Sequence, residues 1–207
     1  MSSFVHRTPA DARRVPWRNG RGVTEELAIG PAGATFEAGD FAWRVARAGV
    51  ADAGPFSAFP GFERVLVVTE GAGLVLVHGD GPPTTLRPLV PHGFRGDDVT
   101  TATPVAGPVR DVNVLVRRGA HRATVEVLAL ARTARRATVL PGVVLLHAVG
   151  GEVVVREADG RVRTLAAGDS LLAEDLRAPE VLEVSGAVGA SAVVVGIAPA
   201  RPVAAPR

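Results

Sequence analysis

The sequence of 207 residues predicts an all-β fold, and three observations support this prediction. First, 24 glycines and 16 prolines are spread along the chain and separate short apolar runs that are rich in valine. Runs of this kind, bounded by turn residues, are typical of short strands. Second, several runs alternate between two kinds of side chain, as strands with two different faces do. Third, one part of the chain resembles another.

The alternation is clearest in FAWRVARA (41–48) and VRDVNVLVRR (109–118). In the second segment, three valines share one face and a mixed set shares the other: Val112, Val114 and Val116 against Asp111, Asn113, Leu115 and Arg117. Residues 120–136 are the best helix candidate, but their β-branched start reads equally well as a strand. We therefore predict strands throughout.

The internal repeat relates RVLVVTEGAGLVLVHGDGPPTTL (64–86) to VVLLHAVGGEVVVREADGRVRTL (143–165) at an offset of 79 residues without a gap. Eight positions are identical in this alignment. Each copy contains an Asp-Gly pair between apolar runs, which is a strong hairpin signal because glycine readily adopts positive φ. Shared turn chemistry explains the glycines, but it explains an ungapped register less easily, so the alignment favours a duplication.

Two β-repeats with such hairpins predict two small jelly-roll barrels in tandem, which is how bicupin proteins are built. The segments LVPHGFRGD and LAAGDSLLAED each read as a turn that feeds the next strand. We expect an N-terminal barrel at 1–122, which carries the ligand pocket, and a C-terminal barrel at 123–207.

The sequence pI of 10.7 suggests a nucleic-acid binder, but the formal net charge is only +2. The chain has no lysine, tyrosine or cysteine, so few groups titrate between histidine and arginine. A small positive excess then gives a very high pI without a basic patch. Nucleic-acid affinity needs clustered cations, and the densest arginine cluster (132–136) is interpreted as a solvated face. We expect neither a nucleic-acid nor a membrane partner.

The absence of cysteine excludes disulfides, iron–sulfur clusters and thiol catalysis. The N-terminal segment has no apolar stretch typical of a secretory signal. No uninterrupted apolar run approaches 18 residues. The expected location is the cytoplasm.

The five histidines do not have the spacing of a cupin metal site, in which two histidines lie two positions apart on one strand. Hydrogen-bonded structural roles are expected for His78 and His147. We predict no bound metal and no cofactor. GxSxG and Walker motifs are absent, and no catalytic residue is assigned.

Several arginines lie on or beside predicted strands, and the arginine fork suits a carboxylate. A buried arginine needs a partner, so each could instead pair with Glu25, Glu26, Glu63 or Asp111. We expect at least one of them to face a ligand carboxylate.

Four segments resemble the HutD/Ves family in the same order, from about Val15 to Gly119. They are VPWRNGRGVTEEL (15–27), the run 41–76 that includes GPFSAFPG (54–61), LVPHGFRGD (89–97) and GPVRDVNVLVRRG (107–119). The second half matches only in general pattern. The resemblance implies a bicupin fold, and the internal repeat supports the same fold independently.

Family members are linked to bacterial histidine utilisation, and no established reaction comes with the family. The resemblance implies a small carboxylate ligand in the N-terminal barrel, of the urocanate, N-formylglutamate or formate type. With Arg44 added from the strand pattern, the expected ligand-facing residues are Trp17, Arg18, Asn19, Arg44, Ser57, Arg64, Asp111 and Asn113. Trp17 and Asn19 also have a structural interpretation, as a barrel cap and a turn residue.

Relatives typically continue Trp-Arg with Ser-Ile-Ala, whereas Trp43 and Arg44 are followed here by Ala46, Arg47 and Ala48 around Val45, so that a hydroxyl is lost and a charge is gained. We expect this departure to affect the pocket mouth and the identity of the ligand.

Three functions remain open at this point. The first, which we prefer over an enzyme, is a metal-free binding protein that modulates histidine or amino-acid catabolism. The second is a metal-free hydrolase or isomerase that uses Glu26 or Asp111 as an acid or base. The third is a structural or interaction protein. A homodimer through strand edges is a further expectation.

Overall fold

The computed structural model describes residues 4–17 and 22–200. In these ranges the chain forms antiparallel strands and a single short 3-10 turn at Pro9–Asp11, which confirms the all-β prediction. The strands are β1 (Val5–Arg7), β2 (Arg13–Pro16), β3 (Val23–Gly30), β4 (Trp43–Val50), β5 (Gly54–Pro55), β6 (Phe62–Glu70), β7 (Leu74–His78), β8 (Thr84–Leu86), β9 (His92–Arg95), β10 (Thr100–Pro104), β11 (Val109–Arg117), β12 (His121–Ala129), β13 (Arg135–Val139), β14 (Gly142–Gly150), β15 (Val153–Arg156), β16 (Val162–Leu165), β17 (Ser170–Leu176), β18 (Glu180–Gly186) and β19 (Ser191–Pro199). No helix in this part of the chain is long and apolar enough to cross a membrane.

Each half of the chain forms a large and a small sheet. The first barrel has the large sheet β2-β3-β4-β11-β6-β9 and the small sheet β5-β10-β7-β8. The second barrel has the large sheet β1-β17-β14-β19-β12 and the small sheet β13-β18-β15-β16. The pairing of β6 with β11 and β9 recurs as the pairing of β14 with β19 and β17. This arrangement is consistent with two tandem cupin-type barrels.

The ungapped offset of 79 residues is wrong for the first strand of the repeat. Leu66 packs inside the first barrel, whereas Leu145, at an offset of 79, packs between the two large sheets. Leu146 is the residue that faces the second barrel interior. The equivalent offset is therefore 80 on this strand and 79 on β7 and β8, because the connection before β15 is one residue shorter. A shift of one residue moves every side chain of a strand to the opposite face.

The two hairpins also use glycine differently. Gly160 has φ +87, as the Asp-Gly signal predicts, but in the first barrel Gly79 adopts the positive φ, of +54. Gly81 is not among the described glycines with positive φ, because it precedes Pro82 and that position favours an extended backbone.

The apolar residues form a layer inside each barrel and a third layer, the seam, between the two large sheets. Valines of β11, including Val112 and Val114, pack in the seam against Leu145 and Val195 of the second barrel. Asp111 and Leu115 lie on the opposite face of β11, inside the first barrel. The alternation predicted for this strand is thereby confirmed.

The domain division at residue 122 stays a prediction. The chain passes from the first barrel to the second between β11 and β12, and β12 begins at His121. The N-terminal strand β1 pairs with β17, so residues 5–7 extend the sheet of the second barrel. An antiparallel partner there covers an otherwise open strand edge.

Candidate ligand-binding site

Three neighbouring strands of the first barrel bring its polar side chains together. Strand β11 lies between β4 and β6, and Leu115 pairs with Arg44 on one side and Arg64 on the other. Asn113 and Asp111 follow on the same face of β11, at successive alternate positions. Four of the predicted site residues thus face one barrel interior.

Arg64 is buried, and aromatic rings surround its guanidinium group. Its Cζ atom lies 4.8 Å, 5.7 Å and 5.1 Å from the ring centroids of Phe56, Phe59 and Phe94. Its Nε donates a hydrogen bond to Asn113 Oδ1 at 3.0 Å. Burial lowers the pKa of Arg64 to about 10, while the charge of Asp111 acts in the opposite direction. No carboxylate oxygen of the described residues lies within ion-pair distance of Arg64.

Ser57 contributes its backbone rather than its hydroxyl. Its carbonyl oxygen accepts a long hydrogen bond, of 3.4 Å, from Arg64 Nη1. The residue itself is exposed. Its predicted role in ligand contact stays a prediction.

Asp111 is almost completely buried, at 1% relative exposure. Within the described ranges, its Oδ1 atom has no hydrogen-bond partner. Burial raises the pKa of Asp111 to about 7, although the positive charge of Arg64 opposes this shift. A buried carboxyl group that titrates near neutral pH can exchange a proton under physiological conditions, which is a property of many functional sites.

Arg44 forms an ion pair, as the structural interpretation of the strand arginines predicts. Its Nε donates to Glu26 Oε2 at 2.7 Å, and its guanidinium lies 4.2 Å from the Phe36 ring centroid. Burial lowers the pKa of Arg44, and the hydrogen bond to Glu26 opposes this shift. Its Nη2 atom has no partner among the described residues. Arg44 is therefore only partly satisfied.

Trp17 packs against the apolar layer of the first barrel. Its indole Nε1 donates to Thr24 Oγ1 at 2.9 Å rather than to a carbonyl group. Its ring packs closely over Gly22, where an added Cβ would lie 3.0 Å from the ring. These contacts fit the cap that the structural interpretation predicts. Arg18 and Asn19 lie outside the described residues.

Arg47 does not add a charge to this interior. It pairs with Glu25, and its guanidinium approaches Gly168 of the second barrel. It therefore lies on the seam side of β4, because alternate residues of a strand face opposite sides. Ala46 and Ala48 are the departures from the family pattern that face Asn113 and Asp111 across the pairing.

His78 has the hydrogen-bonded role expected of it, because its Nδ1 lies 2.8 Å from Thr100 Oγ1. Sequence reasoning did not place His92 or the phenylalanines around Arg64 at the site. The His78 ring lies beside the His92 ring, with centroids 6.2 Å apart, and beside the Phe94 ring, with centroids 4.9 Å apart. Burial and the neighbouring His78 lower the pKa of His92. Strand alternation carried a signal, since Leu74, Leu76 and His78 must share a face.

His147 has the hydrogen-bonded role expected of it, because its Nδ1 lies 2.9 Å from Ser170 Oγ. Burial, together with the charge of Arg47, lowers the pKa of His147 to about 4. In residues 4–17 and 22–200, no group of three or more histidine and carboxylate side chains is arranged to hold a metal ion.

A cleft of about 350 Å³ lies at the ends of strands of the first large sheet, and Arg64 is not among its lining residues. Its charged side chains largely pair with one another: Arg47 with Glu25, and Arg110 with Glu70 at 3.6 Å. Paired charges at an exposed surface attract a ligand only weakly. The barrel interior around Arg64 is the better candidate site.

Residues 9–189 match the model of the HutD family. This chain belongs to the HutD family. It is 30% identical over 190 residues to an uncharacterised 21.2 kDa protein of the hutC 3' region in Pseudomonas putida, covering 90% of this chain and 95% of that protein. It is 38% identical over 121 residues to the protein Ves of Citrobacter koseri, covering 56% and 61% of the two chains.

Solved structures agree with this assignment. The structure of HutD from Pseudomonas fluorescens SBW25 has a TM-score of 0.81 and 29% identity, and the match covers 96% of this chain and all of that one. A cupin 2 conserved barrel domain protein from Leptotrichia buccalis has a TM-score of 0.54 at 10% identity, covering 89% and 92%. The second match supports the cupin-like fold alone.

Proposed function

We propose that this HutD-family protein binds a small carboxylate inside its first barrel, and thereby modulates histidine or amino-acid catabolism. The observation that carries this proposal is Arg64, a buried cation without an ion-pair partner among the described residues. An unpaired buried charge is unfavourable. A ligand carboxylate would offset this cost through two parallel hydrogen bonds from the guanidinium group.

The surroundings of Arg64 support the same ligand class. Asn113 Oδ1 and the Ser57 carbonyl accept hydrogen bonds from the guanidinium group, and the rings of Phe56, Phe59 and Phe94 lie around it. A rigid cation in apolar surroundings suits a small carboxylate, such as formate, urocanate or N-formylglutamate. The pathway assignment rests on the names of relatives: one is called HutD, and another is named for the hutC 3' region.

The test is thermal melting with formate, urocanate, N-formylglutamate, glutamate and histidine, each at several concentrations. A ligand present at about 100 times its dissociation constant stabilises the folded state by roughly 2.7 kcal/mol. We expect one of these carboxylates to raise the melting temperature. The shift should vanish in Arg64→Met, which keeps an apolar stem among the phenylalanines.

Arg110→Met is the matched control, because Arg110 is exposed on the same large sheet and pairs only with Glu70 within the described residues. It should retain the full shift. If no carboxylate stabilises the protein, or if Arg64→Met responds like the wild type, the proposal is wrong.

An enzymatic function is the second candidate, and Asp111 favours it. A working acid or base needs a pKa near the operating pH, and burial places the pKa of Asp111 at about 7. Glu26 is a weaker candidate because it is paired with Arg44. Incubation of each stabilising ligand with wild type and Asp111→Asn, followed by chromatography, distinguishes turnover from binding alone.

A further inference from the structure

Strand β12 is the one long strand at the end of a sheet in the part of the chain that the structure describes. It has nine residues, His121–Ala129, whereas every other strand at the end of a sheet has five residues or fewer. Proteins usually keep edge strands short, or interrupt them with a proline, a lysine or a bulge, because an open edge accepts a further strand. Strand β12 has none of these features.

The backbone of β12 is regular along its whole length. It pairs with β19 from His121 opposite Pro199 to Ala129 opposite Ser191 without a register shift, whereas the pairings of β3, β6 and β14 each contain one. Alternate residues of an antiparallel strand direct their N–H and C=O groups to opposite sides. No other described strand pairs with the side of β12 that faces away from β19. This side therefore offers a regular row of hydrogen-bonding groups to a further strand.

The exposed side chains of β12 are complementary to a second copy of the same strand. Arg122, Thr124 and Glu126 are exposed on one face, and neither charged residue forms an ion pair within the described ranges. When Thr124 lies opposite Thr124 of an antiparallel copy, Arg122 of each chain lies opposite Glu126 of the other. Opposite charges at directly facing positions stabilise a strand pair, and so do facing threonines.

The charge pattern also selects the register. A two-fold axis at Ala123 places Arg122 opposite Thr124, and an axis at Val125 places it opposite Leu128. Of these three axes, the one at Thr124 is the one that pairs Arg122 with Glu126. On the other face it sets Ala123 opposite Val125, and both of these residues are only partly buried against the seam. Both faces of the strand therefore gain contacts in the same register.

We propose that two copies of this chain associate through β12, antiparallel and with the two-fold axis at Thr124. The large sheets of the two second barrels then form one continuous sheet. Such a contact closes on itself, because each copy uses the same surface. The proposal assigns the expected homodimer to one strand and one register, and it does not depend on a carboxylate site in the first barrel.

Sedimentation velocity of the full chain at several concentrations is the first measurement. We expect a species of twice the 21.3 kDa chain mass, which dissociates on dilution. A wild-type chain that stays monomeric up to roughly 1 mM, where even weak complexes form, would overturn the proposal.

Two charge reversals test whether β12 is the contact. Arg122→Glu and Glu126→Arg each replace both ion pairs with pairs of like charge, so each should raise the dissociation constant at least about tenfold. Glu174→Arg is the matched control for Glu126→Arg, because Glu174 is exposed on β17, an inner strand of the same sheet. It changes the net charge equally and should leave the dissociation constant unchanged. Equal effects of Glu126→Arg and Glu174→Arg would mean that the chains associate elsewhere, which contradicts the proposal.

A mixture of the two β12 variants tests the register. The chain with Arg122→Glu has two acidic groups on this strand and the chain with Glu126→Arg has two basic ones, so a mixed dimer regains opposite charges at every such pair. We expect the equimolar mixture to dimerise about as tightly as the wild type, although neither variant does so alone. A mixture that associates no better than its components would refute the axis at Thr124. Circular dichroism of each variant checks that it is folded.

Discussion

Arg64 of the first barrel and Val144 of the second occupy equivalent places. Arg64 pairs with Phe94 across β9, and Val144 pairs with Ala173 across β17. Strands β11 and β19 show the same replacement of a polar residue by an apolar one. Asn113 pairs with Leu66, and its equivalent Val194 pairs with Leu146.

Asp111 has an apolar equivalent too. It pairs with Val68 in the first barrel, and Ala192 pairs with Ala148 in the second. The second interior is a continuous apolar layer of valine, leucine and alanine together with Phe4. Its buried Glu157 has a partner, Arg163, whose Nε donates at 2.9 Å. The same strand framework therefore supports a polar interior in one barrel and an apolar core in the other.

This difference separates stability from function within one chain. An apolar core gains free energy from every side chain that it buries, whereas unpaired polar atoms cost free energy unless a ligand completes them. We expect the second barrel to stabilise the molecule through the seam. The first barrel should contribute less stability, because it carries the polar groups of a site.

The largest effect is expected when one carboxylate is placed at equivalent positions of the two barrels. Val194→Asp puts an unpaired charge into an apolar core and should lower the free energy of unfolding by at least about 3 kcal/mol at pH 7. Asn113→Asp places the same group beside Arg64 Nε, where it gains an ion pair, so its cost should be much smaller. Urea denaturation of both variants measures the difference, and equal losses would contradict the contrast between the barrels.

The pH dependence of stability provides the next test, through Asp111. Its folded-state pKa of about 7 lies above the ordinary value of 3.8. Folding therefore retains a proton that the unfolded chain releases, and the stabilisation is fully present below about pH 4 and lost as the pH rises through 7. The slope is about 1.4 kcal/mol per pH unit in this window, or roughly 4 kcal/mol in total.

Asp111→Asn should abolish this loss, so that the variant is more stable than the wild type at pH 8 and similar to it at pH 4. Chemical denaturation at both pH values measures the effect. A variant that is equally destabilised at both would show that Asp111 does not titrate in this range.

His147, on the seam side of the second barrel, should act in the opposite direction. Its folded-state pKa of about 4 lies below the ordinary 6.5. Its contribution to stability is present above pH 6.5 and is lost as the pH falls through 4, by up to about 3 kcal/mol. Between pH 4 and 6.5 the effects of Asp111 and His147 partly cancel. His147→Gln should remove its part, so that stability falls more steeply with rising pH than in the wild type; an unchanged slope would refute this.

The sequence predicted the features that depend on local periodicity. Alternation correctly assigned Asp111, Asn113 and Leu115 to one face of β11, and turn residues revealed the hairpins. Alternation did not predict which charged groups form ion pairs, because ion pairing depends on which side chains the strand pairing brings together. Arg44 forms an ion pair with Glu26, whereas Arg64 lies near Asp111 without forming one.

The internal repeat shows a second limit. Identical residues aligned at an offset of 79, yet the shorter connection before β15 shifted the first strand by one position. Sequence identity favoured the aligned glycines and valines, while burial depends on which face each side chain occupies. Strand pairing gives the correct offset for the first strand, since a residue and its cross-strand partner share a face.

The smallest effect concerns the turns of the two hairpins. Gly79 and Gly160 both have positive φ, and neither position would bring an added Cβ within 4 Å of another group. Gly79→Ala and Gly160→Ala should each cost about 1 kcal/mol, because the left-handed backbone is unfavourable for alanine. Gly54→Ala is the control, since Gly54 has equal space and lacks a positive φ. It should be neutral or slightly stabilising. Thermal melting compares the three variants, and a loss in Gly54→Ala as large as in the other two would mean that backbone strain is not the cause.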